Sequence, residues 1–132
     1  RSNIKLLGSI TEIDKYFSGA DIYLSTSITE GFSNSLIESM SCSLQCFVTD
    51  VGSNAEVLGS NDFIIPLNDA NMAAKMIAEH LSKAKDTTKV ARPYRNNRLS
   101  DWVAKHYTID HMVKTYEQLW QANLKGQKND RI

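Results

Sequence analysis

Thr29-Glu30-Gly31-Phe32-Ser33-Asn34-Ser35-Leu36-Ile37-Glu38-Ser39-Met40 carries a polar loop into a stretch with helix signals from Ser33 to Met40. Glu30 and Glu38 have seven residues between them in this segment, the first ahead of the helix and the second inside its first turn or two. That spacing can turn both carboxylates into one cleft beside the helix N-terminus. Carboxylates accept hydrogen bonds from vicinal hydroxyls of the kind found on sugars and ribose. Between them, free backbone N–H groups and the positive end of the helix favour a diphosphate. Gly31 permits a close approach that a Cβ would block.

Upstream, Ile22-Tyr23-Leu24 reads as a strand that feeds the polar loop Ser25 to Thr29. Before it, Ile4-Lys5-Leu6-Leu7 reads as a shorter strand closed by a turn at Gly8. Thr11 is the expected cap of a helix through Phe17, with Ile13, Tyr16 and Phe17 as its apolar face. Downstream, Cys46-Phe47-Val48 reads as a buried strand, Asn54 to Leu58 as a short helix, and Phe63-Ile64-Ile65 as a strand stopped by Pro66. Asp69 is placed to cap a helix carrying Ala73, Met76, Ile77, Leu81 and Ala84, and Lys85 to Pro93 reads as loop. Leu99, Trp102 and Val103 mark another helix. A closing helix spans about 108–124, with Ile109, Met112, Val113, Tyr116, Leu119 and Trp120 on one face, and the tail 125–132 is expected to fray.

Strands alternating with helices imply an α/β fold, a Rossmann-like parallel sheet with helices on both faces, in one domain over residues 1–132. Ligands of such sheets bind at the carboxyl ends of the strands, near helix N-termini. The loop from Ser25 to Ser35 falls there.

Composition narrows the function classes. Apolar residues make up 42% and charged residues 23%, as in ordinary globular domains. Fifteen Lys and Arg balance fifteen Asp and Glu without a basic stripe, so nucleic acid is not the expected partner. No apolar run approaches the ~20 residues of a membrane span. The start, Arg1-Ser2-Asn3-Ile4, has neither a signal-peptide pattern nor an initiator Met, and it reads as a cut edge. Cys42 and Cys46, without nearby His, complete no zinc site, and they are expected to be buried thiols in a reducing cytosol.

With its flanks, the Glu30–Glu38 loop resembles the C-terminal donor-binding domain of retaining GT-B glycosyltransferases (glycosyltransferase group 1, family 4). Lys5-Leu6-Leu7-Gly8, Ala20-Asp21-Ile22-Tyr23-Leu24-Ser25, Thr49-Asp50-Val51-Gly52-Ser53-Asn54-Ala55-Glu56, Phe63 to Pro66 and the closing helix follow in the expected order, over about residues 3 to 124. The resemblance implies that Glu30 orients the transferred sugar, the catalytic role, and that Glu38 binds ribose hydroxyls. Gly31, Phe32, Ser33, Asn34, Ser35 and Leu36 form the donor-binding loop, chiefly through amides, and Gly8 and Ser9 lie by the base. It also implies a nucleotide-diphosphate-sugar donor, a hexose-type sugar, and a polysaccharide, glycolipid or glycoprotein acceptor.

No cofactor or metal is expected, since no Asp-x-Asp motif is present. The expected location is cytoplasmic, with association of the full-length enzyme at the inner membrane face. The acceptor domain, the first two strands and the basic residues that neutralise the diphosphate would lie upstream, leaving this stretch inactive by itself. In the family strand order, 3-2-1-4-5-6, the chain begins at the third strand. Ile4–Leu7 is therefore expected beside Ile22–Leu24 or in a neighbouring chain's sheet, with self-association covering Tyr116, Leu119 or Trp120. Ser43 and Gln45 stand where the family has Gly and Pro, Ser53 where it has a second Gly, and Ser33 where Pro or Gly is common. Rival readings are a nucleotide-sugar epimerase and a non-catalytic interaction module of the same fold.

Several of these residues also have purely structural readings. Ser35-x-x-Glu38 fits a capping box. Asp21 fits a hydrogen bonder at strand entry, and Glu56 a cap of its own short helix. His80, His106 and His111 fit surface or packing roles, and Trp102, Tyr116 and Trp120 fit apolar helical stripes. Lys83, Lys85 and Lys89 read as a solvated face.

Overall fold

The computed structural model describes residues 3–85 and 95–129. Its centre is β2 (Gln45–Thr49), in which every residue is buried. β2 runs parallel to β1 (Ile22–Ser25), with Ile22 opposite Gln45 and Ser25 opposite Val48. On its other edge it pairs parallel with β3 (Ile64–Ile65), Val48 opposite Ile64 and Thr49 opposite Ile65. The order β1-β2-β3 gives one parallel sheet. Helices link its strands, α2 (Asn34–Ser41) between β1 and β2 and α3 (Asn54–Leu58) between β2 and β3.

The side-chain period of two along β2 feeds two layers. Cys46 and Val48 join Leu36, Met40, Leu44, Val57, Leu58, Leu99 and Val103 in the main core. Leu99 and Val103 come from α5 (Asn97–His106). Each such aliphatic side chain contributes about 1.5–3 kcal/mol through burial. On the opposite face Phe47 meets Phe63 edge-on at 5.4 Å and His80 at 5.6 Å. His80 belongs to α4 (Ala70–Lys85), so helices cover both faces, as the pattern implied. Asp69 caps α4 as expected, its Oδ1 accepting from the Met72 N–H at 2.9 Å.

α2 ends in a Schellman closure. The Ser43 N–H donates to the Met40 carbonyl at 2.8 Å and the Leu44 N–H to Ser39 at 3.1 Å, with Ser43 left-handed at φ 58°. A residue with a Cβ is held in a glycine position there. Its Oγ donates to Ser100 Oγ at 3.0 Å, and its carbonyl accepts from the Asn96 N–H at 2.8 Å. Buried Gln45 is paired as well, with Oε1 accepting from Asn96 Nδ2 at 3.0 Å. Nearby, the Arg95 guanidinium donates to the carbonyls of Phe17, Ser18 and Cys42. It thereby joins the end of α1 (Ile13–Gly19) to the end of α2.

α3 stops at Gly59, left-handed at φ 65°. Its last carbonyls are taken up from α5 and beyond: Trp102 Nε1 donates to Val57 at 3.1 Å and Tyr107 Oη to Glu56 at 3.4 Å.

Several expectations are corrected. Among the described residues Ile4–Leu7 forms no strand and does not pair beside Ile22–Leu24; Ile4 and Leu6 are exposed, Leu6 by 93%. An edge strand persists only where a neighbour takes its ladder bonds and another layer covers its side chains. Among the described residues neither condition is met for this segment. Thr11 does not cap α1, whose N-cap is Glu12 without a side-chain cap bond. The closing helix, α6 (Ile109–Asn129), continues past Leu124 through much of the stretch expected to fray, although Gly126 lies within it. Its apolar face, including Tyr116, Leu119 and Trp120, is exposed in the single chain, so a core role for Tyr116 and Trp120 does not hold. Cys42 is only half-buried, whereas Cys46 is fully buried. The expected loop 85–93 and Lys89 fall almost wholly outside the described residues, Lys85 ending α4.

Candidate functional site

The chain leaves β1 at Ser25 and reaches α2 through residues 26–33. Ser33 is the N-cap of α2, with β-region angles (φ −87°, ψ 97°) and no side-chain cap bond. The first intrahelical bond runs from the Ile37 N–H to the Ser33 carbonyl at 3.3 Å. The N–H groups of Asn34, Ser35 and Leu36 therefore have no partner within the helix, and they add their partial charges at its positive end.

The capping box is not formed. Ser33 holds the cap position, while Ser35 lies inside the helix with its hydroxyl paired to Tyr23 Oη at 2.8 Å and to Ser33 Oγ at 3.4 Å. Tyr23 competes for that hydroxyl from the neighbouring strand. Glu38 is thus left exposed on α2 without the backbone bond that a capping box would give it.

Glu30 is half-buried, and its Oε1 accepts from Ser27 Oγ at 2.9 Å. The loop that carries it rests on the turn after β2. Thr49 Oγ1 donates to the Ser27 carbonyl at 2.6 Å. Ser53 donates twice to the Gly31 carbonyl, from N at 3.1 Å and from Oγ at 3.0 Å. Gly52, at φ 56°, lies against the Glu30 and Gly31 carbonyls. The hydroxyl of Ser53 therefore turns inward to fasten the loop. Buried Asn54 completes the turn by donating Nδ2 to the Thr49 carbonyl at 3.1 Å.

The remaining expected site residues are placed unequally. Gly31 opens to space, with no atom within 4 Å of where a Cβ would stand. Phe32 is 55% exposed, its ring 6.0 Å from that of Tyr107. Asn34 is exposed, whereas Leu36 buries its side chain fully in the core and can offer a ligand only its amide. Gly8 and Ser9 lie on the exposed segment before α1, and among the described residues no hydrogen bond joins them to the loop 25–36. Ser27 and Thr49 are the members that sequence reasoning missed. Their only signal was position, one before Glu30 in a serine-rich loop and one at a strand end.

Beside this loop a cleft of about 250 Å³ opens at the strand ends, walled by Thr26, Ile28, Thr49, Ile65, Leu67 and Ala73. Another, of about 340 Å³, lies away from it between Gly59, Phe63, Arg98 and Trp102. Among the described residues no three His, Cys, Asp or Glu side chains group to hold a metal ion.

Residues 1–83 match the family described as glycosyl transferases group 1, over more than half of the chain. The chain belongs to that family. Over 83 residues this glycosyltransferase chain is 35% identical to a phosphatidylinositol N-acetylglucosaminyltransferase subunit of Homo sapiens, a match covering 61% of the chain and 16% of that protein. It is also similar to a solved structure titled "Crystal structure of GtfA/B complex", with a TM-score of 0.58 and 20% identity over 86% of this chain and 23% of that one. At such identity the likeness speaks for the fold. The glycosyltransferase chain thus spans less than a quarter of either protein. No helix among its described residues is long and apolar enough to cross a membrane.

Proposed function

We propose that this glycosyltransferase chain is the donor-binding part of a retaining GT-B enzyme, holding a nucleotide-diphosphate sugar at the N-terminus of α2. The observation that carries the reading is the uncapped start of α2, with three N–H groups lacking helical partners beside a carboxylate held in place by Ser27. In the reaction the diphosphate leaves. The amides of Asn34, Ser35 and Leu36 and the helix dipole stabilise the charge that develops on it, an electrostatic contribution made without reorganisation. Glu30 orients the sugar ring through its hydroxyls, and Glu38 accepts from the ribose hydroxyls. The open space over Gly31 admits the donor to the backbone.

The name of the human relative supports N-acetylglucosamine as the sugar and a phosphatidylinositol glycolipid as the acceptor to test first. An N-terminal acceptor domain completes the enzyme, which works at the cytoplasmic membrane face without a metal ion. The test is made on the complete protein, with donor binding followed by calorimetry and transfer by product formation. Glu38→Gln weakens donor binding by about 1.5–3 kcal/mol, the value of a charge-assisted hydrogen bond. Glu30→Gln abolishes or severely reduces transfer without unfolding the protein. Full transfer and unchanged donor affinity in both variants would refute the assignment.

A further inference from the structure

We infer that Ser27 is a positioning residue for Glu30, the last donor in a hydroxyl relay that starts at the end of β1 and is pinned to the end of β2. The inference rests on the donor-site reading of Glu30 and adds to it the group that sets the carboxylate's direction.

Proton counting fixes the polarity of the relay. Ser27 Oγ lies 2.9 Å from Glu30 Oε1 and 3.2 Å from Ser25 Oγ. An ionised carboxylate only accepts, so the single hydroxyl hydrogen of Ser27 goes to Glu30. Ser27 has then no hydrogen left for Ser25, and the Ser25 hydroxyl must donate to Ser27. The two O–H groups align head to tail and end on the carboxylate, each polarising the next. Ser25 is the last residue of β1, so the relay begins on the sheet.

The middle link is held independently. Thr49, last in β2 and buried, donates Oγ1 to the Ser27 carbonyl at 2.6 Å, across 22 residues of sequence. Ser27 is therefore fixed by its backbone through one strand and by its hydroxyl through another. A Glu side chain in a loop would otherwise sample several rotamers. Here one oxygen is tied, and the other is left for a ligand. The geometry needed for sugar transfer is set before the donor arrives, which is how a positioned group lowers a barrier.

The test uses the complete protein with donor saturation curves. Ser27→Ala should lower kcat on the order of 10–100-fold, the range expected for a misplaced reacting group, with donor KM and thermal stability little changed. Ser27→Thr, which keeps the hydroxyl, should recover most of the activity. Thr49→Val, which removes only the pin, should lower kcat in the same sense and serves as the readout where Ser27→Ala does not fold. Unchanged kcat, or losses in kcat, KM and stability together without rescue by Thr, would overturn the inference. Glu30→Gln measured alongside separates the two levels. If it is inactive while Ser27→Ala and Thr49→Val behave as wild type, only the relay fails. If Glu30→Gln is fully active, the donor-site reading fails first.

Discussion

Gly52 lies so close beneath Glu30 that a methyl group on its α-carbon would stand 2.4 Å from the Glu30 carbonyl oxygen, and 2.6 Å from that of Gly31. Its φ of 56° adds a second reason for glycine. Gly52→Ala should therefore destabilise the fold by at least the ~1–2 kcal/mol of a left-handed residue with a Cβ. The loop bearing Glu30 must also shift, because both neighbours are backbone atoms. A lower Tm together with lost transfer is expected. A variant with wild-type Tm would show that the two turns are not in contact.

Gly31→Ala supplies the contrast. Nothing lies within 4 Å of its Cβ position, and its φ is not left-handed. Stability should stay within about 0.5 kcal/mol of wild type. Donor affinity should nevertheless fall, since the added methyl occupies the space through which the donor reaches the loop. Calorimetry and thermal unfolding on the same sample separate the two effects.

Ser43, at the left-handed C′ position of α2, should rank between Gly and Ala. Ser43→Gly removes a strain of about 1–2 kcal/mol but loses the bond to Ser100, so a net gain of roughly 0.5 kcal/mol is expected. Ser43→Ala keeps the strain and loses the bond, at a cost of about 0.5–1.5 kcal/mol. Denaturant midpoints in the order Gly, Ser, Ala would confirm this; Ala above Ser would contradict it.

Cys46 offers an alkaline marker. Burial pushes its thiol up to about 12, against a partial opposing effect of the Ser39 hydrogen bond. In the unfolded chain the same thiol ionises near 9.0. Below that pH its contribution to stability is fully present. Above it the unfolded state loses a proton that the folded state keeps, so stability falls as pH rises from about 9 towards 12, by at most about 1.4 kcal/mol per unit. Alkylation at neutral pH should reach Cys42 and spare Cys46 until the protein unfolds.

His80 acts at the acid end. Burial first, and Lys83 second, hold its pKa below 6.5, and its ring is wedged against Phe47 and Phe63. Its neutral form supports stability above that pH. As pH falls below it the unfolded chain takes up the proton more readily, and stability declines. His80→Phe, which keeps the aromatic contacts, should flatten this limb of a Tm–pH curve.

The sheet was legible because Cys46-Phe47-Val48 at the middle of β2 is an apolar run and because Leu36 and Met40 repeat at helical spacing. Ile4–Leu7 has equally good strand residues, yet residue type says nothing about whether a partner edge is present. That Glu30 precedes α2 and Glu38 lies within it was legible from their spacing. What fastens Glu30 was not: Thr49 to Ser27 and Ser53 to Gly31 each bridge 22 residues, a pairing created only when Ser25 comes to lie opposite Val48. Ser35 shows the converse. Its local pattern pointed to a cap, and a tyrosine twelve residues earlier in the chain claimed the hydroxyl instead.

The Arg95 clamp bears on the order in which the molecule is made. α1 contributes no buried residue of its own, and its carboxyl end is held by a side chain 78 residues later than Phe17. A ribosome releases α1, the sheet and α2 before that guanidinium emerges. During synthesis the first helix therefore waits without this clamp, held only by apolar contacts such as Phe17 against Tyr23, while β1, α2 and β2 can already collapse together. Docking of α1 becomes a late step, limited by closure of a long loop. Arg95→Ala should leave that step unfinished, exposing Phe17 to protease in a protein whose sheet has already formed.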